Sequence, residues 1–147
     1  MTVRAFRIFR ILGFIGTPLI AVAIAILSLA PSSTLLTSSW LWTLRDKGAH
    51  ALAYAALAFF LFCMIAAKVA VPTWSNVLRA NGWRLLLVLG LSMLMGSAIE
   101  IIQPYFGRAF EILDIVADAV GALIGLCFAF VMVTSILQWE ASAEDRR

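Results

Sequence analysis

Twenty consecutive residues, Ile11 to Ala30, carry no charged side chain. A helix of that length, rising about 1.5 Å per residue, reaches across the ~30 Å hydrocarbon core of a bilayer. A surface helix of a soluble domain needs a polar face, and this run has none. Comparable stretches follow at about 47–67, 85–103 and 110–137. The expected fold class is therefore all-α: a polytopic membrane bundle of four transmembrane helices. Of the 147 residues, 63% are hydrophobic and 13% charged, against roughly 25% charged in an ordinary soluble domain. Because the spans fill nearly the whole chain, a single integral membrane domain over 1–147 is expected, with no soluble module. The net charge of +3 then reads as topology and lipid-headgroup contact, with no nucleic acid as partner.

The first run has a rival reading as a secretory signal, since Arg4, Arg7 and Arg10 precede it and Ser28-Leu29-Ala30 resembles a cleavage site. The run is long for that role, and Pro31 directly after the site hinders cleavage, so an uncleaved anchor is preferred. The stretch from Pro31 to Leu44, with Trp40 and Trp42, reads as a loop ending in an interfacial aromatic belt. Lys68 to Arg84 reads as a second loop, and Trp139 to Arg147 as a polar tail. An even number of crossings puts both termini on one side. That side holds eight basic residues: the three N-terminal arginines, Lys68, Arg79, Arg84, Arg146 and Arg147. The other side holds Arg45, Lys47 and Arg108. The positive-inside rule then predicts cytoplasmic termini in a bacterial cytoplasmic (inner) membrane.

Nearly all the remaining polar chemistry falls on the opposite side. Lys47, His50 and Tyr54 are spaced i, i+3, i+7 and share a helix face. Glu100 and Gln103 are i, i+3 neighbours at the end of the third span. Glu111, Asp114 and Asp118 again run i, i+3, i+7, and Gly121 and Gly125 prolong their stripe in small-xxx-small steps that let membrane helices approach closely. Ionisable groups at this depth are costly unless paired or hydrated, so the second, third and fourth spans are expected to converge on one polar pocket.

The ordered set Asp46-Lys47-x-x-His50-x-x-x-Tyr54, Glu100-x-x-Gln103, Arg108 and Asp114-x-x-x-Asp118-x-x-Gly121-Ala122-x-x-Gly125 resembles the VanZ-like family of bacterial membrane proteins. The resemblance covers about Asp46 to Gly125. It departs at Asp118, where the family pattern often has Asn. The family name implies a link to the cell envelope and to low-level resistance to the glycopeptide antibiotic teicoplanin, which acts outside the membrane on cell-wall precursors.

Within this set, His50, Glu100, Asp114 and Asp118 are the candidate catalytic groups, with His50 able to act as a general acid or base near neutral pH. Lys47, Tyr54, Gln103 and Arg108 are the candidate substrate contacts, Arg108 as a clamp for a lipid phosphate. Asp46 and Glu111 read as solvated acids at helix starts. A divalent metal on His50, Glu100, Asp114 and Asp118 is a further reading. One histidine with scattered acids falls short of a standard zinc motif, so a buried ion network with Lys47, His50 or Arg108 is preferred. The expected partner is a membrane lipid or lipid-linked precursor, bound or modified. The alternative is a non-enzymatic accessory subunit whose polar network only fixes helix packing. Cys63 and Cys127 read as small apolar core residues.

Overall fold

The computed structural model describes residues 4–30 and 40–146. Four long helices follow one another: α1 (Arg4–Leu29), α2 (Trp40–Ile65), α3 (Trp74–Ile102) and α4 (Ile112–Asp145), with a 3-10 turn at Gln103–Phe106 between α3 and α4. All four are long and apolar enough to cross a membrane. Among the described residues there is no strand. Of the expected loop from Pro31 to Leu44, residues 31–39, with the cleavage motif's Pro31, lie outside the described residues, as do the side chains of Trp40, Trp42 and Arg45, while 40–44 are helix rather than loop.

The helices outrun the apolar spans that announce them. α2 is already helical at Trp40, so Asp46 and Lys47 stand in its second turn rather than at its start. α3 begins at Trp74, because Thr73 is extended and its hydroxyl accepts the Asn76 amide at 3.3 Å. Most of the expected Lys68–Arg84 loop is therefore helix. α4 continues through the expected tail to Asp145; its 34 residues amount to about 51 Å, well beyond the ~30 Å apolar core.

α2 packs most extensively against α4 and then against α1. Gly121 and Gly125 explain the first contact: a Cβ at either would collide with the backbone of Ala51 or Ala55 on α2, so only glycine permits this approach. Small residues fill the centre, with Ala58, Ala122, Ala129, Val88 and Val133 fully enclosed. The periphery is apolar: Leu52 is 74% and Leu86 72% exposed. Hiding each such side chain from water contributes roughly 1.5–3 kcal/mol, so this surface requires lipid as its solvent. Both cysteines are free; Cys63 is buried as expected, but Cys127 is exposed on the outer face of α4 and is not a core residue.

α1 is held at several points along its length. Gly13 sits against the Phe60 carbonyl and Met64 backbone, and Gly16 against the Phe60 ring. Pro18 follows within the helix and cannot donate to the carbonyl of Phe14. At the end shared by both termini, the Phe6 amide donates to Glu140 Oε1 at 2.9 Å and Lys68 lies 3.4 Å from Oε2. There the buried Asn81 closes the α2–α3 connection, accepting from the Ala67 amide at 2.7 Å and donating to the Ala67 and Val77 carbonyls.

Candidate functional site

At the other end of the bundle the chain turns from α3 into α4. Gly107 takes φ 76°, a left-handed conformation that glycine adopts without strain, and the Arg108 amide closes back on the Gln103 carbonyl at 3.2 Å. Glu111 caps α4 in an extended conformation, without a side-chain cap bond of its own. Its amide donates instead to Glu100 Oε2 on α3 at 3.0 Å. In a capping box the third helical residue would accept that amide. Here that residue is Asp114, which is engaged elsewhere, and a carboxylate from another helix stands in for it.

Asp114 Oδ1 accepts from Lys47, which also pairs with Glu111 at 2.5 Å and approaches Asp46 at 3.7 Å. His50, one turn deeper on α2, is tied to α4 through Nδ1, 2.9 Å from Asp118 Oδ1. Its Nε2 lies 3.7 Å from Asp114 Oδ2. Asp118 in turn rests against α3 at Gly96, where a Cβ would come within 2.6 Å of Oδ2. Asp114 and Asp118 are 2% and 1% exposed and Glu100 is fully enclosed, so these three carboxyl groups meet protein rather than solvent, whereas Asp46 and Glu111 at the margin remain partly exposed. Removing one partner of such a pair strands the other in low dielectric, a cost of about 3–5 kcal/mol.

The expected convergence of α2, α3 and α4 is present, but the cavity is elsewhere. A cavity of about 370 Å³ lies between α1 and α2, with Ile20, Ile24 and Leu27 forming an apolar wall and Asp46, His50 and Arg108 a polar rim. The position differs because α2, α3 and α4 close over their own polar groups, leaving the opening on the α1 side of α2. Of the expected substrate contacts, Tyr54 and Arg108 line this cavity. Lys47 is turned to its acids, and Gln103 donates to the Ser28 carbonyl on α1 at 3.2 Å. Tyr54 Oη, Glu100 Oε1 and Gln103 Oε1 are buried without a hydrogen-bond partner among the described residues. Arg108 lies 3.8 Å from Asp46.

Asp46 and Glu111, read as solvated, do keep 38% and 48% of their side chains exposed, and they also join the ion network around Lys47. Asp46 and His50 are i, i+4 and share a face, a signal sufficient to include Asp46. The contribution of α1 had no such signal, since Ile20, Ile24 and Leu27 are lost in a run that is apolar on every face. Among the described residues, the atoms able to share a metal ion belong to Asp46, His50 and Asp114, all within 4.8 Å of one another. Asp118 stands behind the histidine and Glu100 is committed to the Glu111 amide, so neither joins that group.

No curated protein and no solved structure matches the chain. The family model described as VanZ/LLP1 matches residues 11–134. The match begins in α1, ahead of the motifs that start at Asp46, and so takes in the helix that walls the cavity. Matched over most of its length and carrying the polar constellation on four membrane-length helices, the chain belongs to the VanZ/LLP1 family.

Proposed function

We propose that this membrane protein binds an amphiphile, a phospholipid or lipid-linked envelope precursor, in the cavity between α1 and α2. One observation carries the reading: an apolar wall and a charged rim meet in a single cavity. Its size falls within the range of about 300–1,000 Å³ usual for small-ligand sites. Acyl chains would lie along Ile20, Ile24 and Leu27, with the headgroup at Asp46, His50 and Arg108. His50, with Asp118 behind it, supplies an acid–base group at that rim for modifying the headgroup. The distribution of basic residues supports cytoplasmic termini, which directs the cavity to the extracytoplasmic leaflet of the bacterial inner membrane. A cell-wall precursor as the guest would account for the teicoplanin resistance that the resemblance implies.

Lipid extracted from protein purified in mild detergent tests this reading. Wild type should carry one enriched lipid class, and Ala49→Trp, which fills the cavity, should lose it. Lipid that mirrors bulk membrane in both proteins would refute the proposal. If the guest is a precursor, expression should raise the teicoplanin concentration that cells survive, and Ala49→Trp should not.

A structural role, as a non-enzymatic accessory subunit, draws support from the way Lys47–Asp114 and His50–Asp118 tie α2 to α4. Alanine at Glu100, Asp114 and Asp118 separates the two. Loss of fold favours the structural reading; folded protein without a cellular phenotype favours the site.

A further inference from the structure

We propose that Asp46, His50 and Asp114 form a binding site for a divalent transition-metal ion of the Zn²⁺ or Mn²⁺ class at the rim of the α1–α2 cavity. The argument starts with the tautomer of His50. An ionised carboxylate can only accept, so the hydrogen bond between Nδ1 and Asp118 Oδ1 puts the ring proton on Nδ1. In the neutral ring, Nε2 keeps its lone pair. That atom has no hydrogen-bond partner among the described residues, and it faces Asp114 Oδ2, another acceptor, at 3.7 Å. In that form two acceptors face each other on side chains packed at the cavity rim, with His50 only 9% exposed, and a cation held between them would satisfy both. A carboxylate that receives Nδ1–H while Nε2 points at anionic ligands is the usual support behind a metal-binding histidine.

Asp46 supplies the third ligand, with one atom of each residue inside the 4.8 Å group. In a tetrahedral site with bonds of ~2.0–2.2 Å, ligand atoms stand about 3.3–3.6 Å apart. The His50–Asp114 edge is already close to that. Asp46, whose side chain is 38% exposed, has the freedom to close the rest. Lys47 pairs with Asp114 through Oδ1, the oxygen not facing His50. Charge points the same way: Asp46, Glu100, Glu111, Asp114 and Asp118 surround Lys47 and Arg108 alone among the described cations at this end. One imidazole with two carboxylates suits zinc or manganese better than calcium or magnesium, which favour oxygen ligands throughout. Asp46 and His50 both line the cavity, so a bound ion would meet a phosphate that the surrounding carboxylates would otherwise repel.

The inference needs no lipid, and its test leaves the amphiphile reading untouched. Protein freed of any polyhistidine tag and stripped with a chelator is dialysed against Zn²⁺ or Mn²⁺, and the bound metal is measured by elemental analysis and titration calorimetry. The expected result is one ion per chain with a raised Tm. Asp46→Asn, at a partly exposed position that should not disturb folding, removes the charge of a direct ligand and is expected to weaken binding by at least the roughly tenfold seen when even outer-shell partners are altered. No stoichiometric Zn²⁺ or Mn²⁺, equal binding by wild type and Asp46→Asn, or uptake of only Mg²⁺ or Ca²⁺ would each overturn the proposal.

Discussion

Gly121→Ala puts the α2–α4 contact to a direct test with one methyl group. The added Cβ meets the Ala51 carbonyl and Cα, and backbone cannot rotate aside as a side chain would. Overpacking of a tight core costs about 1–3 kcal/mol, and the upper part of that range applies when both contacting surfaces are main chain. Relief requires α2 to move away at Ala51, the neighbour of His50. A displacement of about 1 Å would take the His50–Asp118 distance of 2.9 Å beyond hydrogen-bond reach, adding about 1.5–3 kcal/mol for a bond to a charged group. The expected destabilisation is therefore about 3.5–6 kcal/mol. Unfolding in mixed micelles with increasing SDS, followed by circular dichroism, measures it. Gly90→Ala is the control: a Cβ there meets nothing within 4 Å, and alanine should gain roughly 0.5–1 kcal/mol through helix propensity. If Gly121→Ala falls within about 0.5 kcal/mol of wild type, close helix approach does not set this architecture and the argument from the glycines fails.

Lys47→Met should cost about 3–5 kcal/mol, because Asp114 is left buried without its ammonium partner; the same micelle titration reads this loss. Glu140→Ala should speed hydrogen exchange of the Phe6 amide by removing its acceptor, whereas Glu140→Gln, which retains an acceptor oxygen, should exchange nearly as wild type. Asn81→Leu should cost about 1–3 kcal/mol in thermal or SDS unfolding, since the Ala67 amide loses its partner inside protein. A lipid-soluble maleimide should label Cys127 and spare Cys63 until the protein unfolds, because only Cys127 is exposed; intact-mass spectrometry counts the adducts.

The number of helices and their membrane character were legible because hydrocarbon imposes a crude requirement of some twenty apolar residues, and Ile11–Ala30 meets it without interruption. The polar faces were legible too: Lys47, His50, Asp114 and Asp118 meet as helical spacing requires. Helix ends were less so. Hydropathy marks where lipid begins, whereas Thr73 starts α3 by accepting an amide, a signal independent of hydropathy. The cavity was the least legible. Its inner wall is formed by Ile20 and Ile24, with the exposed Leu27 at its open edge, and in an all-apolar run nothing marks the first two apart from lipid-facing neighbours such as Leu19 and Ile26. Glu111 was read rightly as an exposed acid at a helix start, but its pairing with Lys47, distant in sequence, left no local signal.

α1 is gripped on both sides of its proline. Gly13 and Gly16 press it to α2 before Pro18, Ile20, Ala21 and Ile24 pack against Tyr54, Leu57 and Ile99 after it, and Gln103 holds the tip at Ser28. The cavity is thus walled by a helix secured on either side of it, and none of these contacts runs through the ion pairs between α2 and α4. The shape of the cavity and the arrangement of charges at its rim are set by separate groups of residues, so a change in one need not alter the other.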